Sequence, residues 1–101
     1  MEKTFRTYDL AVGFYRDAKT VQLPSYLRTQ LLRAASSVAL NLQEGNARSS
    51  RAERRNFFNI AFASLRETQA VIALEPLACK HLVLSADKLA ANLYCLRRSL
   101  S

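Results

Sequence analysis

Residues 41–58, NLQEGNARSSRAERRNFF, carry Arg48, Arg51, Arg54 and Arg55 across a point where one helix should stop and the next begin. Guanidinium groups present planar, charge-assisted hydrogen-bond forks, and the free backbone N–H groups of a helix start add further donors, so the arrangement suits phosphate. The same arginines oppose the partial positive charge of a helix N-terminus, where acidic residues are favoured. Three uses for them stand side by side. They bind nucleic-acid phosphates without reading sequence, or pair with acidic residues of a neighbouring subunit such as Glu2, Asp9 or Glu53, or simply face solvent. A fourth, in which Arg51, Arg54, Arg55 and Asn56 sit on a recognition helix reaching base edges, fits less well. The preceding helix is expected to run about 30 Å, which suits a bundle better than a compact DNA reader.

Other reactive side chains are sparse and scattered. Glu44 and Glu67 would be the carboxylate pair for acid–base or metal chemistry, but metal-assisted catalysis needs several converging ligands, and the sole histidine, His81, belongs to the opposite pole as an exposed loop residue. Ser36, Ser37, Ser49, Ser50 and Ser64 have no histidine partner nearby, and neither a G-x-S-x-G elbow nor a glycine-rich phosphate loop is present. Cys79 and Cys95 lie sixteen positions apart without a CxxC and read as free, buried thiols. No catalytic residue, metal site or cofactor is expected, and the chain reads as a non-enzyme.

The elements that position these groups follow from apolar periodicity. Phe5, Tyr8, Val12, Tyr15 and Ala11, Phe14, Ala18 give a first helix over about 5–20 with a wide apolar face. Pro24 and Ser25 open a second over 25–44, with a buried stripe of Leu27, Leu31, Ala35, Val38 and Leu42, and Gly45 ends it in the left-handed conformation. The small run Ala34, Ala35, Ser36, Ser37 lets a neighbouring backbone approach. Ser50 and Glu53 have capping-box spacing and start a third helix over 50–79, with Phe58, Ala61, Leu65, Thr68 and Ile72 inward and a kink or break near Pro76. Ser85 caps a fourth over 85–100, with Asp87 in its first turn and a stripe of Ala86, Leu89, Leu93, Leu96 and Leu100.

Short connections favour antiparallel neighbours, so the expected fold is all-α: one domain over 1–101, an up-down-up-down four-helix bundle. That topology gathers Lys3, Arg6, Arg48, Arg51, Arg54, Arg55, Arg97 and Arg98 at one pole against Glu2, Asp9, Glu44 and Glu53, a net charge of +4. Arg97 and Arg98 also complement the dipole of their own helix end. Fifteen Lys and Arg against eight Asp and Glu give +7 overall, a basic excess that points towards polyanions. No stretch is apolar enough to span a membrane, and charges interrupt the N-terminus where a signal peptide has its apolar core, so a cytoplasmic location is expected.

Gln30, Leu31, Arg33, Ala34, Ala35 and Ser37, then Asn41-Leu42-Gln43-Glu44-Gly45, Arg48-Ser49, and finally Ala61, Ser64-Leu65 and Glu67 resemble a known family. It is that of the four-helix bundle proteins encoded within intervening sequences of bacterial 23S rRNA genes, which includes the accessory variability determinants of diversity-generating retroelements. The resemblance implies a ring-like homopentamer, no known catalytic activity, and, for the retroelement members, nucleic acid and a reverse transcriptase as partners. Two features depart from it: Pro76, where such proteins commonly continue helix three, and the lack of a basic tail after helix four. From the charge of the basic pole, Arg48, Arg51, Arg54, Arg55, Arg97 and Arg98 are the candidate nucleic-acid contacts. Arg33, Asn41, Glu44, Gly45, Ser64 and Glu67 are the motif residues, with Arg33 and Glu67 expected to pair across helices. The alternative function is an adaptor whose basic pole docks an acidic protein such as a reverse transcriptase, with no direct nucleic-acid binding.

Overall fold

Each helix forms where its inward positions step by three and four. In the computed structural model, which describes residues 2–100 and side chains from Phe5 onward, α1 spans Glu2–Ala18, α2 Ser25–Ala47, α3 Arg51–Leu74 and α4 Val83–Arg98. A 3-10 turn, Lys80–Leu82, leads into α4, and no strand occurs among the described residues. The stripes expected on α2 and α4 are buried throughout, and Ala34 joins the former. Burial of each such leucine contributes about 1.5–3 kcal/mol. On α1 the buried set is Thr7, Ala11, Phe14 and Ala18, while Tyr8, Val12 and Tyr15 are half-buried and Phe5 is exposed. The side chains of Glu2 and Lys3, assigned above to the basic pole, lie outside the described residues.

α2 packs against α1 and α3, and α4 packs against the same two helices, so the four enclose a single core. The body measures 40 × 21 × 19 Å, its long axis set by α2 and α3 at about 1.5 Å per residue. The connection between α1 and α2 is tied by Arg28, whose guanidinium donates to the carbonyls of Val21 and Lys19, both at 2.9 Å. Thr20 Oγ1 donates to the Asp17 carbonyl at 2.7 Å and lies 3.3 Å from His81 Nε2. The hydroxyl proton being used, the imidazole Nε2–H is the donor in that contact.

Several helix ends differ from the sequence expectation. Pro24 sits just before α2, its carbonyl accepting from the N–H groups of Leu27 and Arg28, and Ser25 makes no cap. Gly45 does not stop α2. The helix runs on to Ala47, no described residue takes a positive φ, and the chain turns at Arg48 with φ −85° and ψ 148°. Ser50 does cap α3, accepting the Glu53 N–H at 3.0 Å. α3 ends at Leu74, which is the break expected near Pro76, so that residues 75–79 lie beyond it; the crowding at Pro76 is met by stopping two residues earlier. α4 begins at Val83, since the 3-10 turn feeds directly into it. Ser85 donates to the Leu82 carbonyl instead of capping, and Asp87 falls beyond the first turn.

Candidate nucleic-acid interface

The start of α3 lies against the end of α4. Arg51 donates to the carbonyl of Ser99 at 2.9 Å, and Arg55 to that of Leu100 at 3.2 Å. Carbonyls at a helix end lack intrahelical partners and carry partial negative charge. The arginines that oppose the dipole of α3 therefore complement that of α4. Arg97, coming the other way, donates from Nε to Asn59 Oδ1 at 2.8 Å. None of Arg51, Arg55 and Arg97 has a carboxylate partner among the described residues. Each guanidinium is positioned by a neutral oxygen, which orients it without cancelling its charge.

The other candidate arginines divide. Arg48, just past the end of α2, pairs with Glu44 at 2.9 Å and lies over the Phe57 ring, 4.9 Å from its centroid. That pair is solvent-exposed and contributes little to stability. Arg54 turns inward: it is half-buried, and its Nε is shut off from solvent without a hydrogen-bond partner among the described residues, as is Asn46 Oδ1 beside the same connection. Arg98 is exposed on the last turn of α4 and has a contact of its own within the protein.

The motif residues build the α2–α3 seam. Ser37 and Ser64 share a hydrogen bond of 2.8 Å, and Asn41 Nδ2 donates to the Ser37 carbonyl at 2.8 Å and to its hydroxyl at 3.0 Å. The expected Arg33–Glu67 pair does not form. Glu67 accepts from Gln30 Nε2 at 2.8 Å, while Arg33 is exposed, with no side-chain partner among the described residues. One turn of helix separates Gln30 from Arg33, and the amide is the group that faces Glu67. Glu44 and Glu67 are also apart. The carboxylate of Glu67 meets α2 at Gln30, roughly 21 Å along the helix from Glu44, so they form no acid–base pair.

A basic, aromatic surface on α3 and α4 escaped the sequence reading. The guanidiniums of Arg97 and Arg66 lie 4.1 and 4.9 Å from the centroid of the same Phe62 ring. Arg66 is held by Gln69 Oε1 at 3.1 Å. The spacing of Phe62, Arg66 and Gln69 on one helix face was a visible signal, but the arrival of Arg97 from α4 was not.

The thiols differ from expectation. Cys79 is buried but Cys95 is exposed, because the inward stripe of α4 passes through Leu93 and Leu96 and leaves position 95 outside. Burial pushes the Cys79 thiol pKa up, and the carboxylate of Glu75 adds to the shift. Cys95 borders a shallow groove of about 290 Å³ with Arg6, Ala91 and Asn92. His81 is exposed, and among the described residues no three of His, Cys, Asp and Glu converge as metal ligands would. No described helix is long and apolar enough to cross a membrane.

Neither a curated protein nor a solved structure matches the chain. The family model of the 23S rRNA-intervening sequence proteins matches residues 5–98, spanning all four helices, and the chain belongs to that family.

Proposed function

We propose that this protein is a non-enzymatic, self-associating helical scaffold that binds nucleic acid through backbone phosphates, using the pole where α3 starts and α4 ends. The observation that carries this reading is the anchoring of Arg51, Arg55 and Arg97 by carbonyl and amide oxygens. A guanidinium uses one of its five donors in such a contact and keeps its full charge, leaving N–H groups for a phosphate. An adaptor for an acidic protein would use the same charge. Phosphate is favoured because the anchors fix guanidinium planes for bidentate contact.

The scaffold reading combines an antiparallel up-down-up-down bundle with assembly of copies into a ring-like pentamer. Support for self-association comes from the outer face of α2 and α3. Leu40 on α2 and Ile60 and Leu74 on α3 are exposed, flanked by the small residues Ala63 and Ala70. Light scattering tests it, and a monomer at working concentration would overturn it.

Nucleic-acid binding is tested by fluorescence anisotropy of a labelled RNA and a DNA duplex of equal length across several salt concentrations. The expected result is binding whose log affinity falls linearly with log salt, with a slope reduced by about one for each phosphate-contacting arginine replaced by glutamine. Absence of binding to either probe at low salt would overturn the reading and leave an acidic protein as the partner.

A further inference from the structure

We propose that the strip formed by Phe62, Arg66, Tyr94 and Arg97 on the α3–α4 face is a site for an unpaired, single-stranded segment of nucleic acid. A phosphate is held between the two guanidiniums, and a base is stacked on Tyr94. This rests on the nucleic-acid reading above and names the form of nucleic acid that the surface selects.

Three observations carry it. First, Arg66 and Arg97 both lie over the Phe62 ring, at 4.9 and 4.1 Å from its centroid, with Gln69 and Asn59 as their hydrogen-bond acceptors and no carboxylate partner among the described residues. Two cations sharing one ring raise the local positive potential, and a phosphate bound beside the ring would relieve it. Second, stacking on the ring and a single amide contact fix each guanidinium plane while leaving further N–H groups free to form a fork. Third, Tyr94 lies one helical turn before Arg97 on α4 and is 51% exposed, so helical spacing sets an exposed aromatic ring beside Arg97. Duplex phosphates need no aromatic neighbour. A base can use one only when it is unpaired, and every base has a π-face, so the site is tolerant of sequence.

The test compares three probes of equal length at one low salt concentration: oligothymidylate, an abasic strand with the same phosphates, and a blunt duplex. Oligothymidylate is expected to bind about 5- to 100-fold more tightly than the abasic strand. It should also quench tyrosine fluorescence. Tyr94→Leu, an exposed substitution, should erase the advantage over the abasic strand and leave duplex affinity unchanged, while Arg66→Gln should weaken both single strands. Equal binding of oligothymidylate and the abasic strand, or an unaltered advantage in Tyr94→Leu, would overturn the site while leaving phosphate binding by the basic pole intact. Competition by polyglutamate as effective as by oligothymidylate would also overturn it, showing a surface that reads charge alone. Failure of all three probes to bind would overturn the site and the broader reading together.

Discussion

Gly45 lies against Phe58 so closely that a Cβ on the glycine would come within 2.5 Å of the ring atom Cε1 and 2.8 Å of Cδ1. Phe58 is fully buried, so the ring has no room to yield. The residue is in a helix with an ordinary negative φ, and its role is close approach of α2 to α3 rather than a left-handed turn.

Gly45→Ala should therefore destabilise the fold by about 1–3 kcal/mol through overpacking, outweighing the gain of about 0.5–1 kcal/mol that alanine brings inside a helix. Gly13 supplies the opposite sign. Nothing lies within 4 Å of a Cβ there, so Gly13→Ala in α1 should stabilise by about 0.5–1 kcal/mol. Urea unfolding of the two variants checks the pair, and a shift in the same direction for both would contradict the packing argument.

Arg51 and Arg55 serve the end of α4 as well as any ligand. Replacing both with glutamine should cost about 0.3–1 kcal/mol each, the usual worth of a cation at a helix C-terminus. For a domain of this size that lowers Tm by several degrees. Hydrogen exchange should quicken in the last turn of α4 and not in α2. Uniform quickening across the molecule would assign these arginines some role other than holding that helix end.

The Ser50 cap is a local device with a local cost. Its hydroxyl accepts the Glu53 N–H at 3.0 Å, and Ser50→Ala should remove about 1 kcal/mol of stability, whereas Ser50→Asp should retain it. A calorimetric melt of each variant distinguishes loss of the hydrogen bond from a general intolerance of change at that position.

Much of this was legible in the sequence, and the reasons are local ones. Leu89, Leu93, Leu96 and Leu100 step along α4 with a period that only a helix satisfies, and all four are buried. The Ser50–Glu53 spacing encodes its own hydrogen bond. Gly45 misled because glycine serves both turns and close contacts, and only Phe58 on another helix decides between them. Gln30 displaced Arg33 at Glu67 for a related reason: residues one turn apart share a helix face, so spacing alone does not say which reaches the partner. The basic pole was legible as charge, but not its anchors. Backbone carbonyls of Ser99 and Leu100 leave no trace in residue identity, and the Phe62 ring receives Arg97 from a different helix.

The two cysteines should respond differently to reagent and to pH. Cys95 is exposed and should be alkylated readily in the native protein, whereas Cys79 should react only as the fold opens. The pKa of Cys79 is raised above its ordinary 9.0, first by burial and second by Glu75, so the native state keeps a proton that the unfolded chain gives up. By linkage that contribution is fully present below about pH 9 and is lost as pH rises through the higher native value. Cys79→Ala removes this term, so comparison with the wild type isolates it. The stability difference between wild type and variant should be constant near neutral pH and shift against the wild type above about pH 9. Urea unfolding of both proteins across that range checks it, and parallel stability curves throughout would mean that Cys79 ionises in the folded protein as easily as in the unfolded chain.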